Sequence, residues 1–233
     1  MYFVFHKFRT MQIEKSTFDF LHKLSENNNR DWFAENKKDF DVVQKEVKQF
    51  YKTIQENLEV HDEIEKHKFF RIYRDVRFSK DKTPYKTHFA GSFSRSGAHL
   101  RGGYYLRIKP GESFLAGGFW EPNKEDLYRI RKEIEIDASE FREILADKTF
   151  NKYFGSKFEG DELKTAPKGF DKTHPDIDLL RKKGYIAVRN FTDKEVLSKN
   201  FLNEIDKSYL ALRPFFDLMS SVLTTNLNGE SIL

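Results

Sequence analysis

Arginine, lysine, tyrosine and aspartate crowd together in the stretch RIYRDVRFSKDKTPYKTHF at Arg71–Phe89. Its cations are Arg71, Arg74, Arg77, Lys80, Lys82 and Lys86, and its acids are Asp75 and Asp81. The excess is +4, which equals the formal net charge of the whole chain, so the remainder sums to zero. Guanidinium groups grip a phosphate or carboxylate through paired hydrogen bonds, ammonium groups add point charge, and tyrosine adds a hydroxyl donor. The candidate ligand-binding set is therefore Arg71, Tyr73, Arg74, Asp75, Arg77, Lys80, Asp81, Lys82, Tyr85 and Lys86, with Trp120 at its edge. Such a set suits capture of a phosphorylated or other anionic small molecule. The residues leave open whether chemistry follows binding, and they imply no cofactor.

Two other readings compete. Arginine–aspartate pairs inside the stretch would neutralise one another, and structural ion-pair networks resemble sites. Alternatively, the stretch serves a nucleic-acid or protein interaction surface together with a second basic segment at 163–189. That segment sets Lys164, Lys168, Lys172, Arg181, Lys182, Lys183 and Arg189 against Asp171, Asp176 and Asp178. It could wall the same cleft, although a solvated loop and helix face accounts for it more simply.

Other chemistries find less support. None of the seven histidines forms H-x-x-x-H or H-E-x-x-H, and the spacing of His61 and His67 fits no zinc pattern. His88 adjoins the basic stretch and could serve as a base. Asp75 and Asp81 could act as acid and base or hold magnesium on a phosphate, but arginine neighbours favour their ionised forms. Ser79 lacks a G-x-S-x-G context, and the pairs Gly102-Gly103 and Gly117-Gly118 match no phosphate-binding loop. Tyr73, Tyr85, Phe89, Tyr104, Tyr105 and Trp120 could stack on a ring, but core packing explains them more simply.

The elements that position these residues follow from periodicity. Phe18, Leu21 and Leu24 predict a helix with Ser16 or Thr17 as its cap, and Asn29 caps a second. Phe33, Phe40, Val43, Val47, Phe50, Ile54 and Leu58 mark one long amphipathic helix with Trp32 in its first turn. Over Phe69–Phe78 the period becomes two, which predicts a strand. This would place Arg74 among Ile72, Val76 and Phe78, where a guanidinium needs a partner. Ser79–Pro84 reads as a loop and His88–Arg95 as a strand. Tyr104–Lys109 and Ser113–Trp120 form a hairpin about Pro110-Gly111, with Gly117-Gly118 marking a bulge or a close backbone approach.

Leu127, Ile130 and Ile134 then predict a helix, and Asp137 with Glu140 a capping box for the next. After an irregular stretch, His174-Pro175 opens a short helix that Gly184 closes, and Tyr185–Phe191 reads as a strand. Thr192 with Glu195 is a second capping box before a helical region that Pro214 kinks or divides. Segregated helices and strands predict an α+β fold: a central, mainly antiparallel sheet packed against long amphipathic helices from the N- and C-terminal parts.

Composition bounds the rest. The 233 residues, with no Pro/Gly/Ser-rich linker, suit a single domain over 1–233. The absence of cysteine excludes disulfides and thiolate chemistry and fits the cytoplasm. Apolar runs fall far short of the roughly 20 residues of a membrane span, so no membrane partner is expected. The start, MYFVFHKFRT, does not read as a signal peptide. Residues 1–10 read as an extension or an edge strand. Nothing here fixes the oligomeric state.

RDVRFSKDKTPYKTHF, with NNNRDWFAENK before it and GGYYLRIKPGESFLAGGFWEP after it, resembles the bacterial and fungal domain-of-unknown-function family 2461. The likeness runs from about Ser16 to Met219 and includes LKTAPKGFDKTHPDIDLLRKKGYIAVRNF. It maps Arg74, Asp75, Arg77, Phe78, Ser79, Asp81, Lys82, Pro84, Tyr85 and Lys86 onto the family signature. It implies membership and no particular activity.

Overall fold

The period-two segments build a sheet because large apolar side chains recur on one parity of each. In the computed structural model, which describes residues 11–233, β1 (Ile64–Phe69), β2 (Phe89–Arg95), β3 (Gly103–Ile108), β4 (Ser113–Phe119) and β5 (Tyr185–Phe191) lie in that order. Every neighbouring pair is antiparallel. The expected extension or strand over residues 1–10 lies outside the described residues. Phe93, Tyr104, Leu106, Leu115, Phe119, Tyr185 and Ala187 share one face and are buried.

Helices cover that face. They are α1 (Lys15–Glu26), α2 (Arg30–Glu35), α3 (Lys37–Leu58), α4 (Lys124–Ile136), α5 (Ser139–Ala146), α6 (Lys148–Phe154), α7 (Ile177–Leu180), α8 (Asp193–Val196), α9 (Phe201–Ala211) and α10 (Arg213–Thr224). Two buried tyrosines bolt helices to the sheet. Tyr51 of α3 donates to the Leu106 carbonyl, and Tyr209 of α9 to that of Tyr105, each at 2.9 Å. Phe216 of α10 meets Tyr104 edge-on at 5.0 Å. The helices can come this close because β4 carries glycines. A Cβ on Gly117 would lie 2.3 Å from Leu212 and 3.1 Å from Phe216, while Gly118 (φ +137°) lets the Tyr185 carbonyl of β5 come within 2.2 Å of where its Cβ would stand. This is the α+β fold expected, and no helix of the described residues is long and apolar enough to cross a membrane.

Local signals held unevenly. Asn29 caps α2 by accepting from Trp32 N–H, Thr192 and Glu195 form the capping box of α8, and Pro214 divides α9 from α10. The long helix is broken at Asn36, whose side chain donates to the Trp32 carbonyl, so Trp32 and Phe33 sit on α2. At α1, Glu14 takes the cap position without a side-chain bond, and Thr17 is buried in the first turn. Asp137 accepts from Ser139 N–H at 2.8 Å, so the Asp137–Glu140 box does not form. Helix α7 stops at Leu180, and Gly184 instead lets the chain pass the Phe119 carbonyl.

The main correction concerns Phe69–Phe78. The strand ends at Phe69, and residues 70–88 leave the sheet as a loop joined to itself by a single bridge, Tyr73 to Tyr85. Two bonds across the loop, Arg74 N–H to the Pro84 carbonyl (2.8 Å) and Lys86 N–H to that of Ile72 (2.7 Å), sustain the alternation for a few residues. Pro84 itself has no N–H to extend the ladder.

One buried polar cluster ties the frame together. Arg95 lies on the apolar parity of β2 with its side chain 0% exposed. Its Nε bonds both oxygens of Asp62 (3.1 and 2.8 Å), and its Nη1 reaches Ser220 of α10 at 3.3 Å. Tyr104 donates to Asp62 at 2.6 Å, and Arg213 stands 3.0 Å from the same carboxylate. Burial, followed by the Asp62 carboxylate, raises the Tyr104 hydroxyl well above its ordinary value, so it stays a donor. Removing one partner of such a pair strands a buried charge at a cost of about 3–5 kcal/mol. Asp62→Ala is therefore expected to lower unfolding free energy by about that amount in urea titration.

Candidate functional site

The basic loop first spends its charges on itself. Arg74 bonds Asp81 and Thr83, and Ser79 lies 3.5 Å away. Arg77 grips Asp75 through two bonds of 3.0 and 2.7 Å. The Lys82 ammonium donates to the carbonyls of Val76 (2.9 Å) and Arg77 (3.5 Å), and that of Lys86 to Arg71 (3.1 Å). The Thr83 backbone N–H, followed by Arg74, holds the Asp81 carboxyl down at about 2, and Arg77 lowers Asp75. Both acids are fixed acceptors, which suits pairing and not proton donation.

Aromatic packing anchors the loop to the helices. Tyr85 is buried and stacks on Phe33 of α2 at 4.0 Å, while Tyr73 packs on Tyr85 at 5.4 Å. The Asn28 side chain donates to the Tyr85 carbonyl (2.9 Å) and accepts from its N–H (3.1 Å). Arg71 and Lys80 make no side-chain hydrogen bond or ion pair among the described residues. Arg74, Arg77, Lys82 and Tyr85 thus staple and seat a loop.

A concave surface lies on the sheet face opposite the helices. By register, Ser92 and Ser94 of β2, Gly103, Tyr105 and Arg107 of β3, Phe114, Ala116 and Gly118 of β4, and Ile186, Val188 and Asn190 of β5 share the face that helices leave bare. With Trp120 they line a groove of about 820 Å³. Serine, glycine and alanine form its floor, and Tyr105, Phe114 and Trp120 rise around them. Tyr105 lies 5.5 Å from Phe114 and 6.4 Å from Phe70, and Trp120 is 73% exposed. Among the described residues Arg107 is the one charged residue of the lining; its guanidinium stands over the Phe114 ring at 4.6 Å and donates to Glu112. Register sets Lys68 and Lys66 of β1 beside Ser92 and Ser94. Lys68 and Lys86 both stand over the Phe70 ring, at 5.4 and 5.8 Å.

His88 precedes β2 on the parity of this bare face. Burial, then the nearby Arg107, Lys86 and Lys109, bring its imidazole down to about 4, with Glu112 opposing. It is neutral at pH 7.

Of the candidate ligand-binding set only Trp120 lines the groove, with Lys86 near it over Phe70; Tyr105, named only as a ring able to stack, lines it too. Arg71, Tyr73, Arg74, Asp75, Arg77, Lys80, Asp81, Lys82 and Tyr85 belong to the loop. The second basic segment contributes only Ile186 and Val188 to the wall. Its Arg181 and Lys182 pair with Glu162, Lys183 with Asp161, and Arg189 with Glu204. The sequence signal for the groove was small residues on one parity of β2 and β4, facing Tyr105 and Trp120.

Fold and site together define an α+β protein with a five-stranded antiparallel sheet, helices on one face and an aromatic-walled groove on the other. The chain belongs to the family of conserved hypothetical proteins DUF2461, whose model matches residues 16–218. No curated protein and no solved structure matches it.

Two outcomes follow from the geometry. The Arg74–Asp81 pair joins a part-buried arginine to an exposed aspartate, so solvent screens it and it adds little to stability. Arg74→Ala should leave the urea midpoint nearly unchanged while amide exchange accelerates across residues 74–83. For His88, the unfolded chain binds the proton more tightly, at about 6.5, than the folded chain does. Its contribution is complete above pH 6.5 and is lost as pH falls toward 4. It amounts to at most about 3 kcal/mol. His88→Gln should flatten the decline in stability between pH 7 and 4.5 in urea titrations at each pH.

Proposed function

We propose that the bare face of the sheet binds a planar, anionic small molecule. The observation that carries this reading is the groove itself: a floor of small side chains between Tyr105, Phe114 and Trp120, with no acidic residue in the lining and Arg107 as its one charge. Its volume, about 820 Å³, falls within the range of small-ligand sites. An aromatic ring of the ligand would lie against Trp120, since stacking on an exposed side chain is favourable by about 1–3 kcal/mol. Its acidic group would take the Arg107 guanidinium from Glu112, with Lys68 and Lys66 adding charge from β1 and Lys86 from beyond Phe70. Neutral His88 adds no repulsion toward a cation and no attraction toward an anion at pH 7. Ser92, Ser94 and Asn190 offer hydrogen bonds that fix the orientation of the ring.

A panel of nucleoside monophosphates and aromatic carboxylates tests this by tryptophan fluorescence and thermal shift. A binder should quench Trp120 and raise the melting temperature. Trp120→Ala should weaken binding about tenfold or more. Arg107→Gln should weaken the charged members and spare their uncharged analogues. If no member shifts either signal, or if binding survives Trp120→Ala unchanged, the groove is not the site.

A further inference from the structure

Between Lys66 and Lys86 the chain holds eight arginines and lysines against two acids, Asp75 and Asp81. Both acids are consumed inside the loop by Arg77 and Arg74. Six cations remain that form no ion pair among the described residues: Lys66, Lys68, Arg71, Lys80, Lys82 and Lys86. The segment's excess of six charges exceeds the +4 of the chain, so everything outside it is net negative. These cations run from β1, which has no strand on its outer side among the described residues, into the loop. On the loop stand Phe78, 96% exposed, and Tyr73, 46% exposed. The side-chain staples on Arg74, Arg77 and Lys82 hold this shape with the ring outward.

We infer that this strip and its projecting ring bind single-stranded nucleic acid, with Phe78 stacking on an unpaired base and the lysines on the backbone phosphates. Cations spread along a strand edge and a loop match a repeating anion better than a compact one. Sequence-tolerant single-strand binding combines such a charged track with exposed aromatic faces. A protein partner fits less well, because lysine is depleted at protein interfaces and five of the six cations are lysines. A lipid surface fits less well too, because two rings on a polar loop bring little apolar area to bury. The strip shares Lys66, Lys68 and Lys86 with the approach to the groove, but its ring is Phe78 and not Trp120, so the two readings are tested apart.

The test uses the full chain and fluorescein-labelled 15-nucleotide oligo(dT) and oligo(rU), followed by anisotropy. Binding should weaken steeply between about 50 and 200 mM salt, because each neutralised phosphate of a single strand contributes about −0.7 to the slope. Phe78→Ala should reduce affinity about tenfold. Lys80→Gln, at an exposed side chain with no hydrogen bond or ion pair among the described residues, should lower the salt slope by about 0.7 with the fold intact. Trp120→Ala should leave oligonucleotide binding unchanged. Absence of binding at about 50 mM salt overturns the inference. So does affinity that Phe78→Ala leaves intact, or co-sedimentation with phosphatidylserine vesicles without oligonucleotide binding.

Discussion

The pair between Asp62 and Arg95 is the constraint on which the frame depends. A guanidinium with no exposure cannot be left without a carboxylate, and Asp62 supplies it from just before β1. The same carboxylate takes the Tyr104 hydroxyl from β3 and faces Arg213 of α10. One end of the sheet and one helix are thereby fixed to a single pair of oxygen atoms. Phe216 lies against the Arg95 guanidinium at 5.3 Å, so apolar packing closes over the charges and does not replace them. A less complete set of partners would favour water entry at this corner, and the close approach of α10 to Gly117 would be lost with it.

The sheet's two faces show how differently sequence pattern speaks for packing and for exposure. Apolar parity located β2, β3, β4 and β5 nearly to the residue, because burial against helices selects large side chains every second position. It overran at Phe69, because Ile72 is buried and the Tyr73–Tyr85 bridge imitates a ladder for a few residues. The same argument that singled out Arg74 applied equally to Arg95, which follows Phe89, Gly91 and Phe93 on one parity. Arg95 is the arginine that is buried. Its partner lies 33 residues away, a separation that no local period can report.

The basic stretch was legible as charge and illegible as geometry. Counting charges located a region whose electrostatics differ from the rest of the chain. It could not say that Arg74 and Arg77 turn to the acids beside them, nor that Lys82 reaches carbonyl groups, because those choices depend on how the loop closes. The groove was harder still to foresee. It consists of side chains that are small or half-buried, and it exists only once four strands are set in register. Tyr105 and Trp120 were recognisable as rings able to stack, but nothing in their spacing distinguished them from Phe89 and Tyr104, which are buried.

Asn28 and Phe33 hold Tyr85 by its backbone and by its ring, 57 residues further along the chain in the case of Asn28. The loop is therefore not a portable module, although its inner staples resemble one. Moved to another scaffold without the Asn-rich turn and the first residues of α2, it would keep its charges and lose its bearing. The two segments form one inheritable unit split across the chain, and a designer who wishes to transplant either must carry both.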